Sequence, residues 1–204
     1  MTGCTCLARL YTTRHNQAVL ILLRALLAGT HGGAIVQADL SPSVDDELRT
    51  QHLPRLVPKR VLTSSPTSLP SRPDITFYYP PTPSRKGSIY LVELKYSMET
   101  ALDASFTKAH SQHKDTLTLF QHLHPDCDVR LVPVHLGATG GIYTHLSLDS
   151  LVLLGLHDSL LKHTTQKLHR HAVLWLYSLL TKYQNVRYRP ATGRLTRPKR
   201  FQTS

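Results

Sequence analysis

The sequence predicts an α/β fold, a mixed β-sheet of about four strands with helices on both sides. Residues 75–79 and 89–96 are rich in β-branched and aromatic residues and are separated by a turn-forming loop. The second segment is almost continuously apolar, which is typical of a strand covered on both faces. Segments with helical spacing of apolar residues lie before and after this pair. At 204 residues the chain suits one domain with a core that needs no disulfide or metal.

The first predicted element is a helix that Thr12 or Thr13 caps and that ends near Ala28, before a run of glycines. It is expected to cover one face of the sheet. Residues 34–39 form a short candidate strand. Residues 41–71 contain five prolines, so they are expected to be a surface excursion without a continuous helix or central strand.

The two central strands are expected to be antiparallel and to bring charged residues together. If the loop between them closes symmetrically, Tyr79 faces Ser88, and counting backwards places Asp74 opposite Glu93, with Cβ atoms roughly 5 Å apart. Lys95 projects on the same side as Glu93, because side chains two apart on a strand share a face. Two carboxylates at this separation repel by roughly 3 kcal/mol at an effective dielectric near 20, which favours a shared proton or a bound cation.

Oxygen ligands of this kind favour Mg²⁺, which can activate a water against a phosphodiester, and Lys95 could orient that water or offset developing charge. A surface hairpin in which Lys95 pairs with either acid, without a function, is the alternative. Asp39 or the acidic run at residues 45–47 could add a third metal ligand or form a solvated turn.

Three further elements are expected after the hairpin. Residues 99–123 have helical spacing and end at His124-Pro125, and residues 129–138 form the fourth strand. Residues 146–183 supply one or two helices, broken near Gly155.

Several motifs resemble a known family. Arg72-Pro73-Asp74, a hairpin and then Glu93-Leu94-Lys95 resemble the PD-(D/E)xK nuclease signature, in which Asp74 and Glu93 match the metal ligands and Lys95 the catalytic lysine. Tyr-Thr-Thr-Arg-His-Asn at residues 11–16 and Leu-Val-Pro-Val-His-Leu-Gly-Ala-Thr-Gly-Gly at residues 131–141 are similar to the restriction-like endonuclease domain of site-specific non-LTR retrotransposons.

This resemblance spans residues 11–155 and implies a restriction-endonuclease-like fold. It also implies Mg²⁺- or Mn²⁺-dependent nicking of DNA for target-primed reverse transcription, with a reverse transcriptase domain or protein as a partner. Lys114, on the helix after the hairpin, matches a basic position expected to contact the active-site phosphate.

The charge of the chain points to a polyanionic partner. Lys and Arg number 24 against 13 Asp and Glu, a formal net charge of +11, and ten of these cations follow Asp158, the last acid. A solvating tail or an anionic membrane surface is the alternative. The tail could also be a nuclear import signal, which predicts an intracellular, nuclear location. The residues expected to contact nucleic acid are Arg14, Lys114, Arg187, Arg189, Arg194, Arg197, Lys199 and Arg200.

The predicted domain organisation has three parts. Residues 1–10 are a remnant of an upstream zinc knuckle, in which Cys4 and Cys6 would act with His15; residues 11–185 are the nuclease domain, and residues 186–204 a flexible basic tail.

Other classes of protein receive little support. Three cysteines make no disulfide framework, and the apolar segment at residues 18–28 is about half the length of a membrane span. The chain lacks the glycine-rich pattern of a nucleotide-binding loop and the Gly-x-Ser-x-Gly elbow of serine hydrolases. The thirteen histidines match no common zinc pattern and are expected on the surface. The sequence therefore predicts a metal-dependent DNA endonuclease, with an inactive nucleic-acid-binding module of the same fold as the alternative.

Overall fold

The structure, a computed structural model, describes residues 5–29, 34–38 and 72–187. The helices of these ranges are α1 (Thr5–Gly29), α2 (Leu102–Leu123), α3 (Asp149–Leu153) and α4 (Asp158–Arg187). The strands are β1 (Ile35–Ala38), β2 (Ile75–Tyr79), β3 (Gly87–Ser97) and β4 (Cys127–Gly137). A 3₁₀ turn (Glu99–Ala101) precedes α2, and a π-helical turn (Thr144–Leu148) precedes α3.

The strands form one mixed sheet in the order β1-β2-β3-β4. β1 pairs with β2 and β2 with β3 in antiparallel fashion, whereas β3 and β4 are parallel. A parallel pair needs a long crossover connection, and α2 provides it. Tyr79 pairs with Ser88, so the predicted register of the hairpin is confirmed. The predicted α/β class, a mixed sheet flanked by helices, is also confirmed.

The larger core lies between one face of the sheet and the helices α1, α3 and α4. Phe77 and Leu94 project from the strands, Leu22 and Leu26 from α1, and Leu168 from α4, all nearly inaccessible to solvent. Even-numbered residues of β3 face this core, because side chains alternate along a strand.

Helix α1 begins at Thr5, seven residues before the earlier of the two predicted capping residues. Thr13 is not a cap: its hydroxyl donates to the carbonyl of Arg9, one turn earlier, at 2.8 Å. The helix therefore continues across the boundary that the sequence placed between residues 10 and 11. The side chains of Cys4 and Cys6 lie outside the described residues.

A smaller core lies on the opposite face of the sheet, beneath α2. Ile89 and Leu91 of β3 pack there with Val129 of β4 and Phe120 of α2. Glu93 and Lys95 follow the same alternation and project to this face. The predicted helix at residues 99–123 is confirmed as the 3₁₀ turn and α2.

The predicted break near Gly155 is confirmed. Gly155 has a φ of +90°, a conformation that favours glycine, and it separates α3 from α4.

Among the described residues, no helix combines the length and the hydrophobicity that crossing a bilayer would require. Cys127 carries a free thiol.

Candidate active site

Asp74 lies directly before β2 and links α1 to the middle of β3. Its Oδ2 accepts a hydrogen bond from the backbone N–H of Leu94 at 2.7 Å. Its Oδ1 lies 2.9 Å from Nε2 of His15 on α1. The last pair of the ladder joins Ile75 to Val92, so one further step brings Asp74 beside Glu93, as the register predicted.

Glu93 is a buried carboxylate with two basic neighbours. Only 4% of the residue is exposed. Its Oε1 contacts the amino group of Lys95, and its Oε2 lies 3.0 Å from Nε2 of His113 without the alignment of a hydrogen bond. Burial would raise the pKa of Glu93, but His113 and Lys95 outweigh it and hold that pKa below its ordinary value. The side chain is therefore an anion at neutral pH.

Lys95 is held in place by α2. Besides its contact with Glu93, its amino group donates to Oε1 of Gln112 at 3.1 Å. About a quarter of the side chain, 26%, stays accessible to solvent. This arrangement leaves a cation that is oriented by two partners and still open to a ligand.

His15 joins the two carboxylates into one electrostatic cluster. Burial opposes the charged imidazolium, but the hydrogen bond and charge of Asp74, together with the charge of Glu93, raise the pKa of His15 against the opposing charge of Lys95. Four side chains that the sequence separates by up to eighty residues therefore act on each other.

The three predicted site residues do not take their partners from the same side of the sheet. Asp74 takes its partners from α1 and from the backbone of β3, whereas Glu93 and Lys95 take theirs from α2. The prediction that one face carries all three is therefore correct for Glu93 and Lys95. Asp74 lies at the edge of β3 that β2 leaves open beyond Val92, where its carboxylate accepts a hydrogen bond from the backbone of Leu94.

The donor set of this cluster fits Mg²⁺ or Mn²⁺ better than zinc. No group of three or more His, Cys, Asp or Glu with metal-site geometry occurs in the part of the chain that the structure describes. Mg²⁺ needs only one or two protein carboxylates and completes its shell with water and phosphate. Oε2 of Glu93 is a buried acceptor that makes no hydrogen bond, so it has a lone pair to give. The further acids, Asp39 and residues 45–47, lie outside the described residues.

Two histidines between α2 and the sheet contradict the prediction that the histidines are surface residues. His113 and His135 are completely buried. His135 pairs in register with Lys95, and its ring lies 5.9 Å from that of Phe106; burial lowers the pKa of His135. A signal for His113 was present, because it shares helical spacing with the buried Ala109, Thr116 and Phe120 on one face of α2.

The structure gives Arg14 a packing role rather than an exposed one. The residue is only 4% exposed, its Nη2 donates to the carbonyl of Ala138 at 2.9 Å, and its guanidinium carbon lies 3.8 Å from the centre of the Tyr96 ring. The contact of Arg14 with the nucleic-acid backbone stays a prediction; within the protein, its guanidinium contacts the carbonyl of Ala138 and the ring of Tyr96.

The other predicted nucleic-acid contacts are less constrained. Lys114 is exposed on α2. The side chain of Arg187 and the whole of Arg189, Arg194, Arg197, Lys199 and Arg200 lie outside the described residues.

The partly buried position of His171, near Arg14, makes the stability of the fold pH-dependent. The hydroxyl of Tyr96 lies 3.2 Å from Nδ1 of His171, and burial, with the charge of Arg14, lowers the pKa of His171 from 6.5 to about 4. Between these values the unfolded chain binds a proton that the folded chain does not, so stability falls as pH drops. With allowance for solvent screening of this partly exposed ring, we expect about 1 kcal/mol to be lost between pH 7 and pH 5.

Urea unfolding at these two pH values tests this expectation. The variant His171→Gln, which has no titrating ring, should lose less stability on acidification than the parent protein. His163→Gln, at an exposed position of the same helix, should behave like the parent. An identical pH dependence in all three proteins would contradict the assignment to His171.

The geometry of the site is not accompanied by a match to a known family. No protein-family model matches this chain, and comparison with curated proteins likewise finds no match.

Proposed function

We propose that the chain is a metal-dependent DNA endonuclease that hydrolyses phosphodiester bonds on a restriction-endonuclease-like fold. One observation carries the proposal. The carboxylate of Asp74 accepts a hydrogen bond from the backbone of β3 directly beside Glu93, and the carboxylate of Glu93 contacts Lys95. Two acids and a lysine on neighbouring strands are the elements of the signature that the sequence resembles. The net charge of +11 supports a polyanionic substrate.

Each residue of the site has a distinct role in this proposal. Asp74 and Glu93 would hold Mg²⁺ or Mn²⁺. Asp74 is positioned by its hydrogen bond from β3 and its contact with His15, and Glu93 by its contacts with Lys95 and His113. When bound, such an ion polarises the phosphate and lowers the pKa of a bound water. The partly exposed amino group of Lys95 orients the attacking water or offsets the negative charge that develops on the phosphoryl oxygens.

The neighbours of Glu93 explain how its carboxylate can be charged although it is buried. An isolated buried carboxylate is costly, so an anion in this strand needs compensating cations. The amino group of Lys95 provides this compensation in the protein alone, and His113 lies beside the other carboxylate oxygen. A divalent ion would take over part of that task and release the lysine toward substrate.

Nicking of DNA for retrotransposon integration, a reverse transcriptase partner and a nuclear location belong to the same proposal and come from the resemblance of the sequence. The exposed Lys114 and the basic residues after residue 186 are the proposed contacts to the DNA backbone. Such contacts would be insensitive to DNA sequence and sensitive to salt.

A second candidate is a nucleic-acid-binding module of the same fold without catalysis. Its support is that three of the four carboxylate oxygens of Asp74 and Glu93 already have protein partners, and the fourth has His113 nearby. A protein with either function binds DNA, but only the endonuclease hydrolyses it.

Conversion of supercoiled plasmid to the nicked circular form separates the two. We expect the purified protein to nick with Mg²⁺ or Mn²⁺ and to stop when a chelator removes the ion, because water activation depends on it. DNA affinity measured with the chelator present should persist. Binding without nicking in either metal would favour the inactive module, and nicking that survives the chelator would contradict the metal-dependent mechanism.

A further inference from the structure

A cavity of about 320 Å³ opens beside the candidate active site, between α1 and the end of β3. Lys95 and His15 line it and so connect it with the charged cluster. Its remaining lining includes the side chains of Tyr11, Tyr96 and Met98. The cavity therefore joins a cationic part, at the site of the proposed chemistry, to an aromatic and apolar part.

The cavity exists because the sheet is incomplete at this point. β2 pairs with β3 only as far as Val92, and within the described residues no strand continues along that edge of β3 from Glu93 to Ser97, whereas β4 pairs along the other edge. Helix α1 contacts β3, and the cavity is lined by residues of both elements. Tyr11 and Met98 belong to this lining.

Two large side chains in the lining of this cavity are exposed to solvent. Tyr11 is 55% exposed and Met98 is 59% exposed. Neither is needed to fill a core. A flat aromatic ring and a flexible thioether are surfaces on which a planar ligand stacks or packs.

The chemistry of the cavity selects one kind of occupant. Its volume is at the lower end of the range for small-molecule sites, about 300–1,000 Å³, so a single planar ring system fits and a duplex does not. The amino group of Lys95 at one end favours an attached phosphate, and the aromatic end favours a base. We infer that this cavity receives the base of an unpaired or extruded nucleotide of the substrate, with its phosphate toward Lys95 and His15.

This inference rests on the proposed function and narrows it, since it makes DNA with a displaced base the preferred substrate. Enzymes that act within a duplex often take a nucleotide out of the stack, and an already unpaired nucleotide is the least costly to place. Stacking on an aromatic side chain strengthens binding by about 5- to 100-fold per base.

The test compares two short DNA duplexes that differ by one base. One carries a single-nucleotide thymine bulge, and the other carries an abasic site in the same bulge. Affinity is measured with the full chain in the presence of a chelator, so that cleavage plays no part. We expect the parent protein to bind the base-bearing bulge about fivefold or more tightly than the abasic one.

Single substitutions show which side chains cause the preference for the base-bearing bulge. Tyr11→Ala should bring the ratio of the two affinities close to one, while Tyr11→Phe should keep it, because the ring is retained. Met98→Ala should lower the ratio in part. Tyr177→Ala removes another exposed tyrosine, on α4 and absent from the lining of the cavity, and should leave the ratio unchanged.

Equal affinity of the parent protein for both bulges would overturn the inference, as would a ratio that Tyr11→Ala does not change. These outcomes are independent of the nuclease proposal. A base preference without nicking would support the assignment of the cavity and contradict the proposed nuclease activity. Nicking without a base preference would support the nuclease activity and contradict the assignment of the cavity.

Discussion

Replacement of Lys95 by methionine should lower the rate of plasmid nicking by about 100-fold or more, because loss of one positioned group that stabilises transition-state charge has an effect of this size. Methionine keeps most of the length and volume of the side chain and removes only the ammonium group. That group is held by Glu93 and Gln112 at a partly exposed position, as a group that meets substrate must be.

The measurement is the initial rate of nicking at saturating Mg²⁺, together with DNA affinity in chelator and the thermal unfolding temperature. DNA affinity should stay near that of the parent protein. The unfolding temperature should fall because the buried Glu93 loses a partner, so nicking is compared at a temperature at which both proteins are folded and the loss is assigned to the chemical step. Lys162→Met, which removes an exposed lysine on α4, is the matched control and should nick normally. Parent-like nicking by Lys95→Met would eliminate the proposed role of the lysine.

Replacement of Phe77 by alanine should reduce the free energy of unfolding by about 3–5 kcal/mol, through lost burial and the cavity left behind. Phe77 is completely buried at the centre of β2, and its ring lies edge-on to that of Tyr79, with centroids 5.0 Å apart. The ring also fills the space between the sheet and the helices of the larger core. The same strand leads directly to Asp74, so the core and the site share one support.

Urea unfolding at neutral pH measures this loss. Tyr177→Ala, at a position that is 71% exposed, is the control and should change stability by less than about 0.5 kcal/mol. A loss below about 1 kcal/mol for Phe77→Ala would mean that the ring is not part of a close-packed core. In that case the position of β2, and with it that of Asp74, would need another explanation.

The sequence by itself determined the elements and the register that bring the candidate site together. The loop between the central strands allowed one symmetrical closure, and Tyr79 pairs with Ser88 as that closure requires. Period-two alternation then places Glu93 and Lys95 on the same face, and helical spacing locates α2. These features depend on neighbours along the chain, so a single sequence is enough to infer them.

Only the tertiary structure decided which partners the charged residues take. The His15–Asp74 contact joins residues 59 positions apart, and local patterns do not encode such a distance. Arginine is a residue type that is usually exposed, but Arg14 is enclosed between Tyr96 and Ala138. Histidine is also usually at least partly exposed. Nevertheless, His113 and His135 are buried beside Glu93 and Lys95. The reason is physical: burial of a polar group is decided by the partners that packing brings to it, and these come from other elements of the fold.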